Sequence, residues 1–235
     1  MKSPVLRLLR RLTLSATLLL SVVPAAHASF VAYICNDVNC DGSGDMSVTD
    51  NLVGDAAITP GVISFNFTTG GVTVTVNTSV SNSARNVNPL LNMSYTVVGG
   101  SGPGEVWLYA SDTDFTRIGT VTGIFNSSAN PVSTGFALYG GNDNTNNGGP
   151  YPLDLSSVLF NFGATTGTNT FVGTAGAPSL LTNPYFLTAG VDVKMSGFGV
   201  SSGDVTVTIP DPNSVALLGL GLLGLFFLRR GKTGI

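Results

Sequence analysis

The chain has 235 residues, 43% of them hydrophobic and only 10% charged, with ten Lys and Arg against thirteen Asp and Glu. The basic residues crowd the two ends. Between Ser29 and Ile209 only Arg85, Arg117 and Lys194 stand against twelve carboxylates, a formal charge of −9, which argues against nucleic acid and anionic bilayers as partners.

The first element is a targeting segment. Lys2, Arg7, Arg10 and Arg11 precede the apolar run Leu12–Val23, and Ala26-His27-Ala28 follows as a small-x-small cleavage site. That order predicts a secretory signal peptide over 1–28, cut after Ala28. The run is short for a permanent span, which needs about 20 apolar residues. His27, the only histidine, leaves with the peptide. Histidine-based nucleophile activation and histidine-ligated zinc are then unavailable to the exported body.

Next come the only two cysteines, Cys35 and Cys40. In an exported chain their proximity predicts a disulfide. The surrounding Asp37, Asn39, Asp41, Ser43 and Asp45 put oxygen ligands at alternate positions around Gly42. This resembles the first half of a helix-loop-helix calcium loop, so Ca2+ is the one cofactor the sequence suggests. Val48 stands where the bidentate Glu of such a loop belongs, and a polar turn pinned by the disulfide is the alternative.

From Val62 onward, period-2 alternation dominates and 3.6-residue periodicity is absent. Strands are expected at Val62–Thr68 and Val72–Val76, joined by a Gly70-Gly71 hairpin turn, and at Met93–Val97 and Glu105–Tyr109. Further strands are expected at Gly135–Tyr139, Val158–Phe162, Val191–Met195 and Val205–Ile209. Eight to eleven short strands over 29–209 predict one all-β domain, an antiparallel β-sandwich or jelly-roll-like fold. The stretch Gly140–Pro150 reads as a solvated loop, and Ser111-Asp112-Thr113-Asp114 as a turn.

Within this body, Trp107 and Tyr109 alternate onto one face of a strand and form a candidate ligand platform for sugar, with Tyr139 and Tyr151 as further aromatic candidates. The opposing expectation is that these rings simply pack in the core. Glu105, Asp112 and Asp114 supply the carboxylates that a glycosidase would need, although turn chemistry accounts for the two Asp residues.

At the end of the chain, Pro210-Asp211-Pro212 leads into the apolar run Val215–Leu228, then Arg229-Arg230. As a helix this run is about 21 Å long, shorter than a hydrocarbon core of about 30 Å. Gly219, Gly221 and Gly224 match a dinucleotide fingerprint, but no β-α-β unit surrounds them. The three parts in this order resemble the PEP-CTERM sorting signal of exported Gram-negative proteins, with Asp211 where that signal usually has Glu. The resemblance implies a 210–235 sorting segment with a transmembrane helix and transient membrane anchoring. It also implies an exosortase-type processing enzyme as partner, with cleavage near Pro210–Pro212.

The sequence therefore predicts a non-enzymatic exported protein of the cell surface or extracellular matrix, structural or adhesive in an exopolysaccharide or biofilm setting. A carbohydrate-binding module that takes extracellular polysaccharide is the alternative. A carboxylate-dependent glycosidase is a third reading.

Overall fold

In a computed structural model, the structure describes residues 30–38, 40, 42–69, 71–83, 87–88, 90–116, 119–142, 158–175 and 184–209. All the secondary structure described is β. Nine strands follow in chain order: β1 (Val31–Cys35), β2 (Met46–Thr49), β3 (Val62–Thr69), β4 (Val72–Ser81) and β5 (Leu91–Gly99), then β6 (Gly104–Phe115), β7 (Val121–Gly141), β8 (Val158–Ala175) and β9 (Tyr185–Thr208). Both flanking segments, 1–29 and 210–235, lie outside the described residues, as does most of the Gly140–Pro150 loop.

The alternating runs all fall on strands; in β3, β4 and β5 one face packs on the core while the other meets water, whereas Gly135–Tyr139 of β7 is buried on both faces. In β5 the pattern is regular, with Leu91, Met93, Tyr95 and Val97 buried and the residues between them partly exposed. The β3–β4 hairpin closes with Thr69 paired to Val72, a two-residue turn. Gly71 sits there at φ +77°, a left-handed value that a side chain would strain.

Every strand pairing is antiparallel, and the order across the sheet is β2-β1-β6-β9-β5-β4-β3, with β7 beside β9 and β8 beside β7. The organising element is β9. Its first part, Tyr185–Met195, bonds β6, and its second part, Gly199–Val207, bonds β5, both along the same edge. Along its other edge β7 accompanies it throughout. The change of partner falls beside Gly197, at φ +155°, and beside an irregularity of β7 between Asn130 and Val132. Such breaks let a long strand pass from one layer to the next.

The two halves of this continuous sheet close on each other. Val106, Leu108 and Ala110 of β6 share one buried cluster with Val72, Val74 and Val76 of β4 and with Met93, Tyr95 and Val97 of β5. The result is a β-sandwich whose layers are joined through β7 and β9. Two runs expected as separate strands, Val191–Met195 and Val205–Ile209, belong to this single β9, which ends one residue short of Ile209.

At the β7–β8 end the core is aromatic. Phe125 and Phe136 are buried with ring centroids 5.2 Å apart, and Phe136 meets Phe160 and Phe162 at 5.8 and 6.2 Å. A Cβ at Gly173 would come within 2.8 Å of Phe160 and 2.9 Å of Phe162. The missing side chain thus leaves the space those two rings occupy.

One expected turn is not a turn. Ser111–Phe115 continues β6 with a bulge between Asp112 and Phe115, where Asp114 adopts φ +64°. Asp112 is 1% exposed. Ser81 and Ser83 donate their hydroxyls to its Oδ2, Ser83 at 2.6 Å, and the Thr113 amide donates to Oδ1 at 2.8 Å. Local composition suggested a polar turn, but these donors from the end of β4 let the carboxylate continue the strand into the interior. Burial pushes its pKa up to about 6 despite those bonds.

Candidate functional site

The outward face of the β1-β6-β9-β7-β8 half carries the groove. Its side chains follow from strand register. Cys35 pairs with Trp107, Trp107 with Asp192, and Asp192 with Gly135. In the adjacent row Tyr33 pairs with Tyr109, Tyr109 with Gly190, and Gly190 with Ala137. Because residues two apart share a face, Trp107 and Tyr109 stand together beside Asp192 and Lys194. The groove so formed has a volume of about 360 Å³, a size common for small-ligand sites.

Its aromatic wall is Trp107 and Tyr109, whose rings lie within 8° of parallel with centroids 6.4 Å apart. The two differ in access. Trp107 is half-buried, whereas Tyr109 is buried and its hydroxyl donates to the Val38 carbonyl at 3.0 Å. Tyr109 is therefore a prop: it holds the Cys35–Cys40 loop against the sheet and backs Trp107. Burial pushes its phenol pKa up. Gly190 makes this packing feasible, since a Cβ there would stand 2.7 Å from the Tyr109 ring.

Charge is concentrated beside Trp107. Lys194 Nζ lies 2.9 Å from Glu105 Oε1, 3.6 Å from Asp192 Oδ2 and 6.0 Å from the Trp107 ring centroid. Glu105 and Asp192 hold the ammonium above its usual pKa. Burial pushes the Asp192 carboxyl up to about 6, with Lys194 opposing the shift. Asp192 is only 9% exposed, and its Oδ1 has no hydrogen-bond partner among the described residues.

Sequence reasoning found Trp107 and Tyr109 but missed Asp192, Lys194, Gly135 and Gly190. One signal was present: Lys194, one of three cations between Ser29 and Ile209, lies two residues from a carboxylate on an alternating strand. The glycosidase candidates are not brought together. Glu105 pairs with Lys194 beside the groove, whereas Asp112 is buried beside Ser81 and Ser83.

Cys35 and Cys40 form the expected disulfide, with Cα atoms 5.0 Å apart. Of the calcium-loop candidates, Asn39 and Asp41 lie outside the described residues. Asp45 accepts the backbone N–H of Asn36 at 2.8 Å and of Gly42 at 2.6 Å, so it braces the loop. Among the described residues no three His, Cys, Asp or Glu side chains are grouped to hold a metal ion. Reducing the disulfide is expected to lower stability by about 2 kcal/mol, as a loop this small dictates. Urea melts with and without reductant measure this; coincident curves would show the bridge to be dispensable.

Comparison with known proteins adds the chain's address. Residues 208–230 match the family described as the PEP-CTERM protein-sorting motif. The class is thus a β-sandwich with an aromatic groove on one outer face and a C-terminal sorting motif. The chain carries a PEP-CTERM sorting motif at its C-terminus, which implies export, cell-surface sorting and exosortase processing. Pro210, Asp211, Pro212, Arg229 and Arg230 all fall within the match, while the signal-cleavage residues Ala26 and Ala28 lie outside the described residues.

No curated protein matches the chain. Among solved structures it is similar to the enzymatically active domain of bacteriophage CBA120 tailspike protein 4, at 13% identity and a TM-score of 0.39. That match covers 64% of this chain and 19% of the tailspike, so the chain spans about a fifth of it. TmCBM61, solved with β-1,4-galactotriose, matches at 9% identity and a TM-score of 0.30, covering 67% of this chain and 92% of that one. A CBM4 structure matches at 13% identity and a TM-score of 0.22, covering 66% and 81%. The likeness to carbohydrate-binding modules is distant.

Proposed function

We propose that this is a non-enzymatic adhesive protein of the cell surface or extracellular matrix, which holds extracellular polysaccharide in the Trp107 groove. The C-terminal signal brings it to the surface, and the exosortase-type enzyme acts near Pro210–Pro212. The observation that carries the reading is the half-buried Trp107 ring, parallel to a buried Tyr109 and bordered by Lys194, Glu105 and Asp192. A flat apolar surface beside hydrogen-bonding groups suits a sugar ring, which has apolar C–H faces and a polar rim. A purely structural protein has no need of an open aromatic ring at such a place.

The test is affinity electrophoresis of the full chain, in a sugar-free detergent, through gels containing soluble polysaccharides. Retention is expected, and Trp107→Ala should weaken it at least tenfold, equivalent to about 1.4 kcal/mol or more. Near-UV circular dichroism verifies that the variant keeps its fold. Equal retention of the two proteins would move binding away from Trp107 and overturn the groove, and retention of neither would leave only the structural role.

A further inference from the structure

The socket beside Trp107 has a composition that selects among sugars. Asp192 is flanked across the strands by Trp107 on one side and Gly135 on the other, and along its own strand by Gly190 and Lys194 on the same face. Two of its four neighbours on this face therefore have no side chain, and the space above the carboxylate opens into the groove. Among the described residues Oδ1 is buried without a hydrogen-bond partner, while the carboxyl's neighbours are Lys194, with Nζ 3.6 Å from Oδ2, beyond ordinary hydrogen-bond length, and the Glu105 carboxyl. The carboxyl torsion of Asp is broad and nearly two-fold, so either oxygen can turn toward a donor. Asp192 thus has acceptor capacity that the protein does not fill, at a site where an unfilled buried acceptor is costly.

The charges around it are one-sided. Asp192 lines the groove and Glu105 stands beside it, with Lys194 as their shared cation among the described residues, and that ammonium is already engaged by Glu105 at 2.9 Å. Tyr109 and Tyr139 line the same groove with phenols that burial keeps protonated. No free cation is left among the described lining residues to receive an anionic ligand.

Resting on the polysaccharide reading above, we propose that the groove takes uncharged hexose residues, stacked on Trp107 and donating a ring hydroxyl to the Asp192 carboxylate, and that it rejects uronates. A sugar hydroxyl supplies the donor that Asp192 lacks. A uronate carboxylate brings a third negative charge next to two others in a partly desolvated site, and it has no donor at that position. Burial first, and then the neighbouring Glu105 carboxylate, raise the Asp192 pKa against the pull of Lys194, so the site already resists further negative charge.

The test compares the full chain, in sugar-free detergent, on gels containing a neutral galactomannan and on gels containing polygalacturonate, at neutral pH. The neutral polymer is expected to retain the protein at least tenfold more strongly. Asp192→Asn, which removes the charge and keeps a carbonyl acceptor, should narrow that ratio severalfold by admitting the uronate polymer. Asp192→Ala should weaken retention on galactomannan about tenfold. Retention on polygalacturonate equal to or above that on galactomannan by the unmodified protein overturns the selectivity without recourse to any variant. So does an unchanged ratio in a folded Asp192→Asn protein. In both cases Trp107→Ala still distinguishes the two ideas: if it abolishes retention, polysaccharide binding stands and only the Asp192 assignment falls. If the unmodified protein is retained by neither polymer, both fall together.

Discussion

Truncating Phe136 to alanine is expected to destabilise the protein by about 3–5 kcal/mol, the cost of emptying a large buried aromatic site. Phe136 is 1% exposed and contacts three other rings, Phe125, Phe160 and Phe162, with centroids 5.2 to 6.2 Å away. It lies on β7, whose neighbouring residues Gly135 and Ala137 line the groove, so loss of the ring loosens the floor of the site as well as the core. For a domain of this size each kcal/mol moves the midpoint by about 2–4 °C, so a fall of about 6–20 °C should appear by calorimetry. The exposed Val172, 62% accessible on β8, provides the control: Val172→Thr should shift the midpoint by less than one or two degrees. A Phe136→Ala protein that melts with the unmodified chain would mean that this aromatic cluster is not part of the folding core.

The second large effect is on acid stability. Asp112 is held at a pKa of about 6 in the folded chain, against an ordinary value of 3.8. A carboxyl whose folded pKa is raised binds its proton more tightly when folded. Its contribution to stability is therefore fully present below pH 3.8 and is lost as the pH rises through 6. The span corresponds to about 3 kcal/mol. Asp192, also raised to about 6, acts in the same direction. The protein should accordingly melt several degrees higher near pH 4.5 than near pH 7.5, which is unusual, since most proteins lose stability on acidification. Asp112→Asn removes one titrating group while keeping an acceptor for Ser81 and Ser83, whose hydroxyls can also accept from the new amide. Melting curves of this variant should show a clearly flatter pH dependence between 4 and 6. A slope identical to that of the unmodified protein would mean that Asp112 does not titrate in this range.

How much of this was legible depends on which faces of a strand are buried. β3, β4 and β5 bury one face and announce themselves by alternation. β1, Val31–Cys35, is buried on both faces, with Ala32 and Ile34 in the main core and Val31, Tyr33 and Cys35 under the disulfide loop. It therefore has no period of two to detect, and at five residues it is too short to stand out as a continuous apolar run. β8 was visible only in its first five residues. Beyond them its Gly, Thr and Asn content reads as loop, yet Thr165–Ala175 pairs with β7 because Phe171 meets Phe125 across the strands. Asp112 misled for the opposite reason: Ser-Asp-Thr-Asp is turn chemistry locally, and the hydroxyls that allow it to be buried arrive from residues about thirty positions away.

The sequence by itself determined the address and the class of the domain. The PEP-CTERM signal is a contiguous string matched over 208–230, and the all-β character follows from side-chain alternation, a property of each strand alone. The disulfide was also legible, because two cysteines five residues apart have few alternatives. Only the tertiary structure decided that Trp107 faces a groove and that Tyr109 is a buried prop. It alone put Asp192 and Lys194 next to Trp107, and Gly135 on the far side of Asp192, from strands 28 to 87 positions away in the chain. Cross-strand register makes those neighbours. Register is set by the pairing of β6 and β7 to either edge of β9 and by the break at Gly197, and none of these is a local property of the chain.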